Sequence, residues 1–188
     1  PSDLGDLARI SLKDPVRAMV AKSATLVEGV THMLHYTTST HKTKLLLTLL
    51  EEKRESVLVF TRTKHRADRL GETLDRGGHR VAVLHGGRRL TQRRFALEGF
   101  RRGRFQILVA TDVAARGLDV ANIGHVVNYD LPNVPEDYVH RIGRTARMKT
   151  IGSATSFVTS EDFRSLQAIE RLLGHAVPCA PGSQPLLR

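Results

Sequence analysis

Short unbroken apolar runs alternate along the chain with stretches whose apolar residues recur every three or four positions. Val57-Leu58-Val59-Phe60, entered from Ser56, predicts a buried strand. The amphipathic stretch after it predicts a helix over Lys64–Arg76, stopped at Gly77-Gly78. The pattern then repeats as a strand over Arg80–Leu84, a helix over Thr91–Arg102, a strand over Phe105–Ala110 and a strand over Gly124–Asn128. A helix over Pro135–Arg147, a strand over Ala154–Val158 and a helix over Glu161–Leu173, ended by Gly174, complete the reading.

Apolar strands separated by helices imply an α/β fold in which a mainly parallel sheet is covered on both faces. Such sheets bind ligands beyond the carboxyl ends of their strands. The loops after Phe60, Leu84, Ala110 and Asn128 are therefore the predicted sites of chemistry. Residues 1–28 do not fit the alternation, and Asp14-Pro15 breaks any long helix there, so they read as a linker or the end of a preceding unit. Residues 29–177 form the predicted domain. Residues 178–188, rich in proline, glycine and serine, read as the start of a flexible tail.

Composition narrows the function classes. A length of 188 residues suits one domain, and no apolar run approaches the ~20 residues that span a bilayer. The first residues show no export signal, and the single cysteine, Cys179, cannot form an internal disulfide. No membrane association and a cytoplasmic location are the expectation. The formal net charge of +10 points to a polyanion partner. Seven arginines and a single glutamate, Glu98, fall between Arg88 and Arg104, where a phosphate-binding patch and a solvated helix face are both open. Aromatic content of 5%, without tryptophan, disfavours base stacking and leaves backbone recognition.

Two segments carry the most chemistry. In His140-Arg141-Ile142-Gly143-Arg144-Thr145-Ala146-Arg147, helical spacing lets Arg144 and Arg147 address one anion and Arg141 a neighbouring contact; the alternative is a solvated cationic face. In Ala110-Thr111-Asp112 through Arg116-Gly117-Leu118-Asp119, a strand runs into a turn of small residues. That turn exposes N–H groups and a hydroxyl to phosphate, or else is an ordinary cap. Thr61-Arg62-Thr63-Lys64 and His85-Gly86-Gly87 belong to the same edge of the sheet. No Gly-x-x-x-x-Gly-Lys-Ser/Thr phosphate loop and no metal-ligand spacing occur.

Together, Val59-Phe60-Thr61-Arg62-Thr63-Lys64, His85-Gly86, Ala110 to Asp119 and Tyr138 to Arg147 resemble, in order and spacing, the second RecA-like domain of DEAD-box RNA helicases, most of all bacterial members. The resemblance implies a three-layer α/β/α RecA-like fold and a role as the C-terminal half of an ATP-dependent RNA helicase, inactive alone. Its partners would be RNA and the N-terminal RecA-like domain, and the latter would hold most of the contacts to Mg2+. The resemblance assigns Arg144 and Arg147 to the γ-phosphate of ATP, and Gly117 and Asp119 to the ribose side. It assigns Asp112, Arg116, His140 and Arg141 to the facing domain, and Thr63, Gly86, Arg93 and Thr111 to the RNA backbone. Phe60 is expected to pack behind the arginine helix. Leu90 stands where the family usually has glutamine, and Gly87 replaces a common aspartate. The alternatives are a DNA-directed superfamily 2 helicase domain and a non-catalytic RNA-binding module.

Overall fold

The computed structural model describes residues 29–52, 55–115, 123–145 and 152–183. Among these described residues six strands are formed: β1 (Val30–Tyr36), β2 (Val57–Phe60), β3 (Val81–Leu84), β4 (Ile107–Ala110), β5 (His125–Asn128) and β6 (Gly152–Val158). They make one sheet in the order β1-β6-β5-β2-β4-β3, and every pairing is parallel. Strands β2, β4 and β5 are buried at every position, which is why they read as unbroken apolar runs. Phe60 is level with Ala110 on one side and Asn128 on the other, so the loops leaving these strands emerge side by side.

Successive side chains of a strand point to opposite faces, and each face has its own core. On one, Val57, Val59, Ile107 and Val109 meet Leu46 and Leu50 of α1 (Lys42–Glu52) and Ala67, Leu70 and Leu74 of α2 (Lys64–Arg76). On the other, Leu58, Phe60, Leu84 and Leu108 cluster with Ala96 and Phe100 of α3 (Leu90–Arg101) and the four-residue α4 (Asp112–Ala115). Tyr138 and Ile142 of α5 (Pro135–Ile142) and Leu166 and Ile169 of α6 (Phe163–Leu173) complete that core. The layers are α/β/α, as the alternation predicts.

Helix α2 has the predicted bounds because both ends are chemically marked: the Thr63 side chain accepts from the Arg66 N–H, and Gly77 caps the last turn. Gly174 ends α6 at φ +78°, a left-handed conformation that glycine adopts at no steric cost. Three expectations are corrected. Strand β1 and helix α1 were not anticipated within the domain. The helix from Pro135 stops at Ile142 rather than Arg147: Gly143 caps it, and Thr145 then pairs with Ile123, donating its hydroxyl to the Ile123 carbonyl at 2.6 Å. Finally, residues 178–183 are not loose. The Pro178 carbonyl accepts from the Leu34 N–H, the Ala180 N–H donates to the Leu34 carbonyl, and Ser183 Oγ accepts from the Tyr36 N–H.

Candidate functional site

The chemistry-bearing residues gather at the carboxyl edge of the sheet. Arg141, in the last turn of α5, is 2% exposed. Its Nε and Nη2 donate to the two carboxylate oxygens of Asp112 at 2.6 and 2.7 Å. Its Nη1 donates to Asn128 Oδ1 and to the Asp130 carbonyl, and its guanidinium carbon stands 4.8 Å from the centre of the Phe60 ring. Four donated hydrogen bonds and an aromatic face compensate a charge that burial would otherwise penalise heavily. The loop after β4, the end of β5 and helix α5 are thereby tied to one side chain. Each of these contacts of Arg141 lies within its own domain, and Phe60 packs behind the arginine segment.

Because α5 ends at Ile142, Arg144 sits in a turn, its N–H donating to the Arg141 carbonyl. The helical position expected for Arg144 is therefore replaced by a turn. Arg144 lines a cavity of about 20 Å³ together with Phe60, Asp112, Asp137, His140 and Arg141. His140 is exposed, with Nδ1 at 3.7 Å from Asp137. Arg116, Gly117, Asp119 and Arg147 lie outside the described residues.

Across the same edge, Gly86 follows β3, Thr111 follows β4 and Thr63 follows β2. Thr63 is exposed and Thr111 half-buried. A side chain at Gly86 would meet nothing within 4 Å, so the backbone there is open to approach. The loop is held from beneath: the Gly87 N–H donates to His85 Nδ1, which leaves Nε2 to carry the proton to Asp68 at 2.9 Å. Burial pushes the Asp68 carboxyl up, but the hydrogen bond from His85 together with the charge and hydrogen bond of Arg88 outweigh it, and its pKa falls below the ordinary value. Arg93, on the first turns of α3, keeps its Nε buried without a hydrogen-bond partner. Gln92 is occupied locally, its Oε1 accepting from the Arg89 N–H, while Leu90 is 69% exposed.

A charged network beside this edge was missed at the level of sequence. Buried Lys42 lies 3.1 Å from Asp130 and 3.6 Å from Asp162. Arg66 donates to Asp130 at 2.6 Å and Arg62 to Asp162 at 2.9 Å. These residues line a basin of about 450 Å³ whose rim includes Thr63. Burial raises the Asp162 carboxyl, but bonds from Thr159, the Lys42 charge and Arg62 prevail and lower its pKa. The available signal was an aspartate, Asp130, two residues beyond β5 at the carboxyl edge of the sheet.

Comparison with known proteins agrees with this arrangement. The family model described as "Helicase conserved C-terminal domain" matches residues 41–149. The ATP-dependent RNA helicase RhlB of Shewanella sp. (strain MR-4) is 42% identical over 174 residues, which are 92% of this chain and 40% of the relative. The chain thus spans well under half the length of that curated relative. Among solved structures, the E. coli DEAD-box protein SrmB, in a complex with regulator of ribonuclease activity A, is 34% identical with a TM-score of 0.75. That match covers 84% of this chain and 98% of the SrmB chain. S. cerevisiae Dbp5 bound to RNA and ADP BeF3 is 30% identical with a TM-score of 0.81, covering 95% of this chain and 49% of Dbp5. The chain belongs to the helicase conserved C-terminal domain family, as the C-terminal RecA-like domain of a DEAD-box protein.

Proposed function

We propose that this chain is the C-terminal half of an ATP-dependent RNA helicase that separates short RNA duplexes or remodels RNA-protein complexes in the cytoplasm. The observation that carries the reading is the Arg141–Asp112 clamp. It joins the β4 loop, which holds Thr111, to the turn that holds Arg144. A shift of the RNA-facing loop is thereby mechanically linked to the phosphate-facing turn.

In this proposal a facing N-terminal RecA-like domain presents ATP. Arg144, joined by Arg147, reaches the γ-phosphate and stabilises the charge that spreads over it in a loose transition state. Gly117 and Asp119 meet the ribose side, and His140 and Arg116 meet the facing domain. Asp112 and Arg141 serve as positioning residues. Bound ATP supplies the scissile phosphoanhydride. Asp112, Asp130 and Asp162 are each paired with a cation of this chain, so Mg2+ is assigned to the facing domain. Thr63, Gly86, Arg93 and Thr111 hold successive backbone groups of single-stranded RNA, and the orphaned Nε of Arg93 supports that assignment.

The test is RNA-stimulated ATP hydrolysis by a protein that joins this chain to its N-terminal partner domain. Arg144→Ala is expected to lower kcat by about 10³-fold or more while RNA binding persists. Unchanged hydrolysis would remove Arg144 from the reaction. Equal stimulation by DNA and RNA would favour the DNA-directed alternative.

A further inference from the structure

Among the described residues, strand β3 closes one end of the sheet and pairs on one side only, with β4. The Arg80 carbonyl accepts from the Ile107 N–H of β4, and the Leu84 carbonyl from the N–H of Thr111 just after it. By the two-residue period of a strand, Val81 and Val83 turn their N–H and C=O groups to the open edge. Open edges of this kind are templates for another strand, and proteins commonly blunt them with lysine, proline or a covering loop. Val81-Ala82-Val83-Leu84 carries none of these side chains.

The edge lies at the floor of a groove of about 670 Å³ between α2 and α3. Its apolar part is made by Val81, Val83, Phe95 and Phe105, and Phe95 is 52% exposed. The α2 wall carries Asp68, Glu72 and Asp75, spaced to fall on one helix face. Asp68 is held by His85 and Arg88, and Glu72 makes an exposed pair with Arg76 at 3.4 Å that water screens and a partner's cation can displace; Glu72 and Asp75 are both exposed. An acidic stripe on a chain of net charge +10 selects the charge of what lies against it.

We propose that the β3 edge and its groove dock an extended peptide segment of a partner protein, in which basic side chains alternate with aliphatic ones. The peptide adds a strand to β3 through Val81 and Val83, its aliphatic residues cover Phe95 and Phe105, and its cations face Glu72 and Asp75. Nucleic acid is disfavoured because its phosphates would meet the carboxylates, and the groove reaches the amino end of β3 at Val81, away from Gly86 and Thr111. A second copy is disfavoured because two-fold pairing of β3 with β3 would set one α2 stripe against the other, like charge on like.

The probe is a fluorescein-labelled, end-capped hexapeptide Lys-Val-Lys-Val-Lys-Val, titrated into the 188-residue chain by anisotropy, with amide exchange followed by NMR. Saturable binding is expected, with slowed exchange at Val81 and Val83. The double variant Glu72→Lys, Asp75→Lys, confined to exposed positions, should weaken it about fivefold by reversing the charge that faces the peptide's cations. N-methylation of every second peptide amide should abolish binding in one phase and spare it in the other. Equal affinity for Glu-Val-Glu-Val-Glu-Val, or indifference to the double variant, would overturn the proposal. So would displacement by an oligouridylate that slows the same two amides, or concentration-dependent dimers that protect them.

Discussion

Arg141 and Asp112 meet through two parallel hydrogen bonds of 2.6 and 2.7 Å, and between them they fasten helix α5 to the loop after β4. Arg141 is 2% exposed while the Asp112 side chain is 26% exposed, so the cation is the partner that cannot retreat to water. Asp112→Ala is therefore expected to destabilise the chain by about 3 kcal/mol, the low end for breaking a buried pair, because an uncompensated guanidinium stays inside. Combining it with Arg141→Met should recover part of the loss. Urea unfolding of the two variants and the parent measures both effects; an additive double variant would show that the pair is not coupled.

The Asp162 carboxylate supports a second prediction, with a definite sign. Its folded-state pKa lies below the ordinary value, so its contribution is complete above the unfolded value of about 3.9 and is lost as pH falls through the lower folded value. The contribution of Asp162, the difference between the parent and Asp162→Asn, should stay nearly constant from neutrality to about pH 5 and shrink below about pH 4. Burial of His32 and His35 lowers their pKa values, which makes both chains lose stability alike as pH falls below about 6.5. Asp162→Asn should be less stable near neutrality, with the gap closing as acid is added. Thermal melts of both chains across pH 7 to about pH 3 decide the matter, and parallel curves would exclude the network as the source of acid sensitivity.

Gly99 offers a contest between two known magnitudes. Glycine inside a helix costs about 1 kcal/mol relative to alanine, so Gly99→Ala in α3 should stabilise if the helix stood alone. A Cβ there would run into the Phe105 ring, which itself stacks edge-on against Phe95 with centroids 5.7 Å apart. Overpacking of this kind costs about 1–3 kcal/mol, so a net loss of about 1 kcal/mol is expected. Adding Phe105→Leu should relieve it. A stabilised Gly99→Ala chain in chemical denaturation would mean that the ring gives way freely.

What was legible in the sequence depended on how far apart the partners lie. Helix α2 could be bounded to the residue because Thr63, its amphipathic face and Gly77 all act within one short stretch. The parallel order followed from apolar strands separated by helices. The end of α5 was not legible, because the pairing of Thr145 with Ile123 that ends it is a tertiary contact and the helical spacing of the arginines runs straight past it. Strand β1 mixes His32, His35 and Thr31 with its apolar residues, and helix α1 follows without a stop signal, so neither stood out. The Lys42–Asp130 pair joins residues 88 positions apart, a separation that no local pattern encodes. Residues 178–183 have the composition of a loop and the hydrogen bonds of an edge cover for β1.

Arg93 separates the RNA proposal from its solvated-face alternative. Its Nε is buried with no acceptor, an arrangement that costs free energy unless an anion completes it. If it neutralises one phosphate of single-stranded RNA, Arg93→Ala should lower affinity for every sequence alike. It should also reduce the slope of log affinity against log salt by about 0.7, the counterion contribution of one contact. A surface arginine that merely adds to the general field, such as the exposed Arg94, should change affinity at low salt with little effect on that slope. Titrating an oligouridylate against the parent, Arg93→Ala and Arg94→Ala chains at several potassium chloride concentrations distinguishes the two. An unchanged slope in Arg93→Ala would return Arg93 to the solvated arginines of the 88–104 cluster.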